Sequence, residues 1–489
     1  MMLLINDVNC GHSVRYERQT EMVFSNLVFL YIFMPLLFLA YFIINNNAYR
    51  RGVLVVFSLI FYAWGEPVCI LLMIGLVFAD YIFGLIINSR RRRTAKKLWL
   101  AVAVISNLSV LVFYKYLGFF VDTFNTLTGL SLPAVSVVMP IGISFFTFQS
   151  MSYVIDIYRK DAYVQRSFFK LLLYVSFFPQ LIAGPIVRYK DIESQLSDRK
   201  VDIYDFNEGL FRFAQGLAKK VLIANCFDSV VTSLYGLAEV TTLARWVGAV
   251  FFTLQIYYDF SGYSDMAIGL GRMFGFRFNE NFNYPLASGS VTDFWRRWHI
   301  SLGTFFRDYV YIPLGGNRRH HVRNILVTWF LTGLWHGASW NFILWGVFYG
   351  VMLLIEKKVL LGLFDKMAKP VEFIIKHVYV AFLTVFGFAV FYFDHDLLKN
   401  IGYLFGIGCT AVSDIFTNSI IMENAVILVI GILFSAPIIP ALWKAAKERF
   451  KISYSAERVI KTVVVTVLIS AATVRLVGNT YDPFLYFRF

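Results

Sequence analysis

Asp293 to Gly346 reads DFWRRWHISLGTFFRDYVYIPLGGNRRHHVRNILVTWFLTGLWHGASWNFILWG. The two halves of this tract differ in kind. Asp293 to Arg323 holds six Arg and two Asp, whereas Asn324 to Ile355 contains no Asp, Glu, Lys or Arg. The second half is long enough to cross a bilayer, and His336 is its one group able to titrate near neutrality. Polarity inside lipid is costly unless it is used, so such a residue marks a functional site by default. A histidine costs less there than Lys or Asp, because an imidazole can stay neutral.

The rest of the chain supports a membrane setting. Of its 489 residues 58% are hydrophobic and only 16% charged, against roughly 25% charged in a soluble chain. Mean hydropathy is +0.63. A soluble protein of this size has no interior for so much apolar material. The apolar runs are long and continuous rather than alternating, which favours an all-α polytopic protein over a barrel. The net charge of +14 does not call for a nucleic acid. Lys and Arg cluster in short loops beside apolar runs, most clearly Arg90 to Arg93 with Lys96 and Lys97, as the positive-inside rule expects. The partner is the lipid bilayer. Cys10, Cys69, Cys226 and Cys409 are scattered and form no CxxC.

Residues 1–21 form a polar tail without the apolar core of a signal peptide, and Met22 opens the first apolar run. We read a tail, 1–21, whose start need not be the native one, and a single membrane domain, 22–489. Candidate spans are Val23 to Ile44, Val53 to Trp64, Val68 to Ile87, Leu98 to Val121, Val135 to Ile157, Phe168 to Val187, Leu217 to Leu234 and Trp246 to Tyr258. Asn324 to Ile355 follows as one long helix or a bent pair, then Phe373 to Phe393, Ala425 to Leu442 and Val459 to Val477. That gives roughly eleven to thirteen crossings at about 20 residues each. Several runs are too short to cross alone, which predicts re-entrant or broken helices lining a cavity. Arg50-Arg51 and the Arg90–Lys97 loop are expected in the cytoplasm, with both termini outside.

Few residues can carry chemistry. His336 sits in Gly333-Leu334-Trp335-His336-Gly337-Ala338-Ser339-Trp340. On a continuous helix Gly333 and Gly337 would make a flat face for close helix approach, and Trp340 would lie one turn from His336. The bland account of His336 is a buried imidazole bonded across a helix interface. The functional one is a general base taking a proton from a hydroxyl. In Asp293-Phe294-Trp295-Arg296-Arg297-Trp298-His299, a helix would put Trp295 and His299 on one face, with Arg296 at the membrane–water interface. His299 is then either an exposed interfacial residue or a second polar group at the mouth of a site. Asp259 and Asp265, in DFSGYSD, are expected to pair with nearby Arg residues. Gly269 to Gly275 lacks the preceding strand of a dinucleotide motif, and Asp394-His395-Asp396 has the spacing of an ordinary loop, so no metal site is read.

These motifs together resemble the membrane-bound O-acyltransferase family, and more closely its bacterial alginate O-acetylase-like branch. The resemblance rests on DFWRRWHISLGTFFRDYVYIPLGGNR and LTGLWHGASWNFILWG. It extends to FYAWGEP (Phe61–Pro67), MPIGISFFTFQSMSYVIDIYR (Met139–Arg159), FFPQLIAGPIVRY (Phe177–Tyr189), DFSGYSDMAIGLGRMFGF (Asp259–Phe276) and YDPFLYFRF (Tyr481–Phe489). It implies a many-helix fold around a tunnel in a bacterial cell membrane, with His336 as catalytic histidine and His299 as a second functional one. Trp295, Arg296, Asp259, Asp265 and Trp340 are then candidate substrate contacts. The implied donor is acetyl-CoA arriving from the cytoplasm, with no resident cofactor. The implied acceptor is a cell-surface or extracellular polysaccharide, reached through a separate extracytoplasmic acetyltransferase. D-alanyl transfer to teichoic acid on the same fold is the alternative, and a lipid or polysaccharide transporter is the alternative from another class. The branch often has an aromatic-Arg pair where this chain reads Val390-Phe391-Tyr392-Phe393.

Overall fold

A computed structural model describes residues 22–135, 137–478 and 484–485. The tail 1–21 and most of the Tyr481–Phe489 tract lie outside the described residues. The described residues are 76% helical, with no strand among them. The principal helices are α1 (Cys69–Ser89), α2 (Arg93–Leu111), α3 (Leu117–Thr128), α4 (Ile203–Ala218), α5 (Thr242–Met273), α6 (Val291–Arg297), α7 (Ile300–Phe306), α8 (His321–His336), α9 (Trp340–Ile355), α10 (Lys369–Tyr392) and α11 (Tyr454–Val477).

Among the described residues four helical runs are long and apolar enough to cross a membrane: α1, the joined α2–α3 run of 36 residues, α10 and α11. Ile415–Glu423 with Ala425–Phe434 would be a fifth, bent by 54°. This is fewer than the roughly eleven to thirteen crossings expected from span length. The other expected spans fall in helices that are short, interrupted or mixed with polar residues. Phe168 to Val187 breaks at Phe177, Leu217 to Leu234 passes through a π turn at Lys219–Ala224, and Asn324 to Ile355 breaks after His336. Such segments survive at membrane depth where protein, not lipid, surrounds them. The result is a multi-pass membrane protein with apolar helices around a more polar interior.

α5 shows why that interior holds. It has 32 residues, about 48 Å of helix, and every residue from Phe251 to Gly271 is buried. The expected span Trp246 to Tyr258 therefore continues through DFSGYSD without a break. Two carboxylates would be ruinous there if unpaired. α4 and the π turn after it supply the cations: Lys220 lies 2.5 Å from Asp259, while Arg212 and Lys219 each lie 2.7 Å from Asp265. The helices come close enough because glycines face each other at two levels. A Cβ on Gly216 would stand 2.4 Å from the carbonyl oxygen of Gly262, and one on Gly269 would stand 2.5 Å from that of Gly209. The levels are seven residues apart on both helices, hence on one face of each.

Candidate active site

The charge-free half of the opening tract folds as a hairpin. α8 ends at His336, Gly337 is extended, and α9 begins at Trp340. The two helices touch through Gly333 and Gly346: a Cβ on Gly346 would lie 2.3 Å from the Trp329 carbonyl oxygen and 3.0 Å from Gly333 Cα. Gly333 thus provides close approach, while Gly337 ends the helix instead of extending the flat face. Trp340 is consequently not one turn from His336. It is 56% exposed and packs on Phe119, with ring centroids 5.6 Å apart.

His336 is 8% exposed. Its ring is walled by Trp335, Trp345 and Phe391, at centroid distances of 4.8, 5.0 and 5.1 Å. It lines two cavities. The larger, about 480 Å³, is also lined by His299, Trp295, Trp298, Arg296, Arg307 and Lys357. The smaller, about 30 Å³, lies against Asp259, Phe260, Trp345 and Phe391, and is roomy enough for about one water. Trp298 borders both cavities.

His299 is placed differently from the helical expectation. It sits between α6 and α7 in the left-handed region, with φ of 44°. That conformation is uncommon for a non-glycine residue, and such residues cluster at functional sites. Trp295 and His299 therefore do not share a helix face, although both border the large cavity. His299 is 2% exposed rather than interfacial. Its Nδ1 lies 3.1 Å from Asn281 Oδ1 and 3.5 Å from Ser301 Oγ. The Ser301 backbone N–H donates to the same Asn281 Oδ1 at 3.2 Å, and the Asn281 amide donates to Ser264 Oγ at 2.9 Å. The backbone donor fixes Oδ1 as an acceptor, so His299 Nδ1 must carry the proton. Nε2 is then left with its lone pair, buried and without a hydrogen-bond partner among the described residues. Trp335 bridges the two histidines, its ring 5.8 Å from His299 and 4.8 Å from His336.

The large cavity has a basic rim. Arg296 is exposed, and Arg307 pairs with Asp308 at 2.8 Å. Burial alone would raise the Asp308 carboxyl. The hydrogen bond and charge of Arg307, with the charges of Arg188 and Lys190, outweigh it and hold the carboxyl below its usual range. Asp259 reaches the small cavity, where it accepts from Lys220 and from the Leu485 backbone N–H at 2.9 Å. Asp265 is not among the residues lining either cavity. Among the described residues no three His, Cys, Asp or Glu side chains converge on a metal-sized point. The tract Val390–Phe393 has no arginine of its own, and Arg245 of α5 stacks over Phe393 at 5.8 Å and over Tyr235 at 5.2 Å.

Asn281, Ser301, Trp345, Phe391, Arg307 and Lys357 were not singled out by the sequence. Asn281 meets His299 across 18 residues that turn through a loop and α6, and Phe391 meets His336 from another helix, so no periodicity links them. The basic residues flanking apolar runs were a usable signal for Arg307 and Lys357.

A sequence model of the membrane-bound O-acyltransferase family matches residues 136–393, which include both histidines and both cavities' principal walls. The chain is 38% identical over 490 residues to the probable alginate O-acetylase AlgI of Pseudomonas putida, covering 96% of this chain and 100% of that one. It is 38% identical over 504 residues to the probable alginate O-acetylase AlgI of Azotobacter vinelandii, covering 96% and 100%. A peptidoglycan O-acetyltransferase of Helicobacter pylori is 36% identical over 373 residues, 69% of this chain and 70% of that one. A hairpin that offers a buried histidine to two cavities, within a chain so similar to these enzymes from end to end, belongs to the membrane-bound O-acyltransferase family.

Proposed function

We propose that this acyltransferase takes an acetyl group from acetyl-CoA on the cytoplasmic side of a bacterial cell membrane. The group passes outward for O-acetylation of a cell-surface or extracellular polysaccharide, through a separate extracytoplasmic transferase. The observation that carries the reading is His336, buried yet bordering both the large cavity and the small one. The relatives lend the chemistry: alginate and peptidoglycan are polymers with sugar hydroxyls, and the proteins named for them are acetylases.

In the proposed step the His336 imidazole takes the proton of an acceptor hydroxyl. The oxygen attacks the thioester carbonyl, the carbon–sulfur bond breaks, and the leaving thiolate is reprotonated by the imidazolium. His299, whose Nε2 lone pair has no partner among the described residues, accepts from a second donor on the acceptor and so orients the hydroxyl that attacks. Arg296, Arg307 and Lys357 attract the phosphates of the donor to the rim. Trp295 closes the cavity wall, and Asp259 borders the space behind His336. Acetyl-CoA is a substrate here, not a resident group.

Polysaccharide acetylation in cells carrying His336→Ala tests the reading, with membrane insertion measured in parallel. Loss of O-acetyl groups at normal insertion is expected, and wild-type acetylation would overturn it. Chemical analysis of the polymer also separates D-alanyl transfer, which would leave D-alanine esters instead of acetate.

A further inference from the structure

We propose that Lys115 and Tyr116 are positioning residues, which fix the helix end bearing His336 by holding three successive backbone carbonyls. The inference rests on the reading of His336 as the base, and it concerns residues that touch neither cavity.

The last four carbonyls of any α-helix lack intrahelical donors. α8 ends at His336, and the chain then turns extended at Gly337, with φ of −170° and ψ of 160°. No left-handed glycine follows to cap the helix in the usual way. Helix ends fray, so a base on the final helical residue is poorly aimed unless something outside holds it. In this chain the hold comes from the π turn Val112–Tyr116, within the apolar α2–α3 run. Tyr116 Oη donates to the Leu334 carbonyl at 2.8 Å. Lys115 Nζ donates to the Trp335 carbonyl at 2.6 Å and to that of His336 at 3.2 Å. The same ammonium lies 6.0 Å from the centre of the Trp335 ring, which packs on both histidines.

Four features set this contact apart from ordinary packing. A lysine within an apolar span is expensive and is retained for a use. No ion pair of Lys115 with a carboxylate occurs among the described residues, so the carbonyls are its partners. A cation at a helix C-terminus is also favoured by the helix dipole, and weakly screened where water is scarce. Two adjacent residues reach one helix end from a π turn, an irregularity common at functional sites. The carbonyls of Trp335 and His336 carry the planes of the peptide units on either side of His336 Cα. Holding them sets the direction in which the imidazole leaves the backbone.

The test compares Lys115→Met, Tyr116→Phe and His336→Ala with wild type. The readouts are polysaccharide O-acetylation per membrane-inserted molecule, thermal midpoint of the purified protein, and its Kd for acetyl-CoA. Lys115→Met is expected to lower acetylation about 10- to 100-fold, the scale of a misplaced reacting group, with Kd within about twofold of wild type. Lys115→Arg, which keeps a charged donor, is expected to recover most of the loss. Tyr116→Phe keeps the ring and removes one donor, and should lower acetylation about threefold to tenfold. It decides the question if Lys115→Met fails to insert. Wild-type acetylation per inserted molecule in both variants, with His336→Ala inactive, would overturn the positioning role alone. A loss that merely tracks a lower thermal midpoint would reduce the pair to a structural contact and overturn it too. Activity in His336→Ala would instead overturn the underlying reading of the site.

Discussion

The two histidines of the site are held in opposite ways. His299 is locked through its side chain: Asn281, itself fixed by the Ser301 N–H and by Ser264, dictates which ring nitrogen is protonated. His336 is held through its backbone, by Lys115 on its own carbonyl, while its ring sits among Trp335, Trp345 and Phe391 and borders both cavities. The first arrangement suits a group that must keep one tautomer and orient a partner. The second suits a group that gains and loses a proton, because no side-chain acceptor among the described residues favours one state. The proposed function accordingly gives transfer to His336 and orientation to His299.

The largest expected effect tests the first half of that assignment. His336→Ala should cost about 10³-fold or more in acetylation per inserted molecule, within the range of general base catalysis. Replacing the orienting group should cost less. Asn281→Leu leaves His299 in place but frees its tautomer, and a loss of about 100-fold is expected, read as a fall in kcat with little change in donor KM. If Asn281→Leu were as damaging as His336→Ala, or harmless, the division of roles would collapse. Arg296→Ala should act on the donor instead, raising its KM about tenfold, as for loss of one charge-assisted contact, at unchanged kcat. Trp340→Ala, at a residue 56% exposed and packed on Phe119, should change acetylation by less than about twofold, in line with surface positions elsewhere.

Much of this was legible in the sequence, and for physical reasons. Lipid-facing helices must be apolar all round, so α1, α10 and α11 declare themselves by composition. α11 shows this most plainly, since only 6% of its apolar window is buried within the protein. His336 stood out because nothing ionisable surrounds it along the chain. The interior was harder. α5 is buried and yet carries two carboxylates, whose partners Lys220, Lys219 and Arg212 come from another part of the chain. Apolar-run counting therefore cuts it short at Tyr258 and leaves its charged half outside the span. Nothing local marks His299 as left-handed, because Trp298-His299-Ile300 contains no Gly, Asn or Pro. Trp340 was placed beside His336 on the assumption of a continuous helix, and the helix stops at Gly337 instead. Lys115 was invisible as a cap, since it meets His336 across 221 residues.

The central claim is that one acetyl group crosses from one side of the membrane to the other at His336. The most direct measurement is made in sealed proteoliposomes, with labelled acetyl-CoA confined to the side of the Arg90–Lys97 loop and a candidate extracytoplasmic transferase with polysaccharide on the other. The account predicts labelled O-acetyl groups on the polysaccharide with wild-type protein, and none above background with His336→Ala. Label on the polymer at equal rates from both proteins, or only when acetyl-CoA is placed on the opposite side, would contradict it.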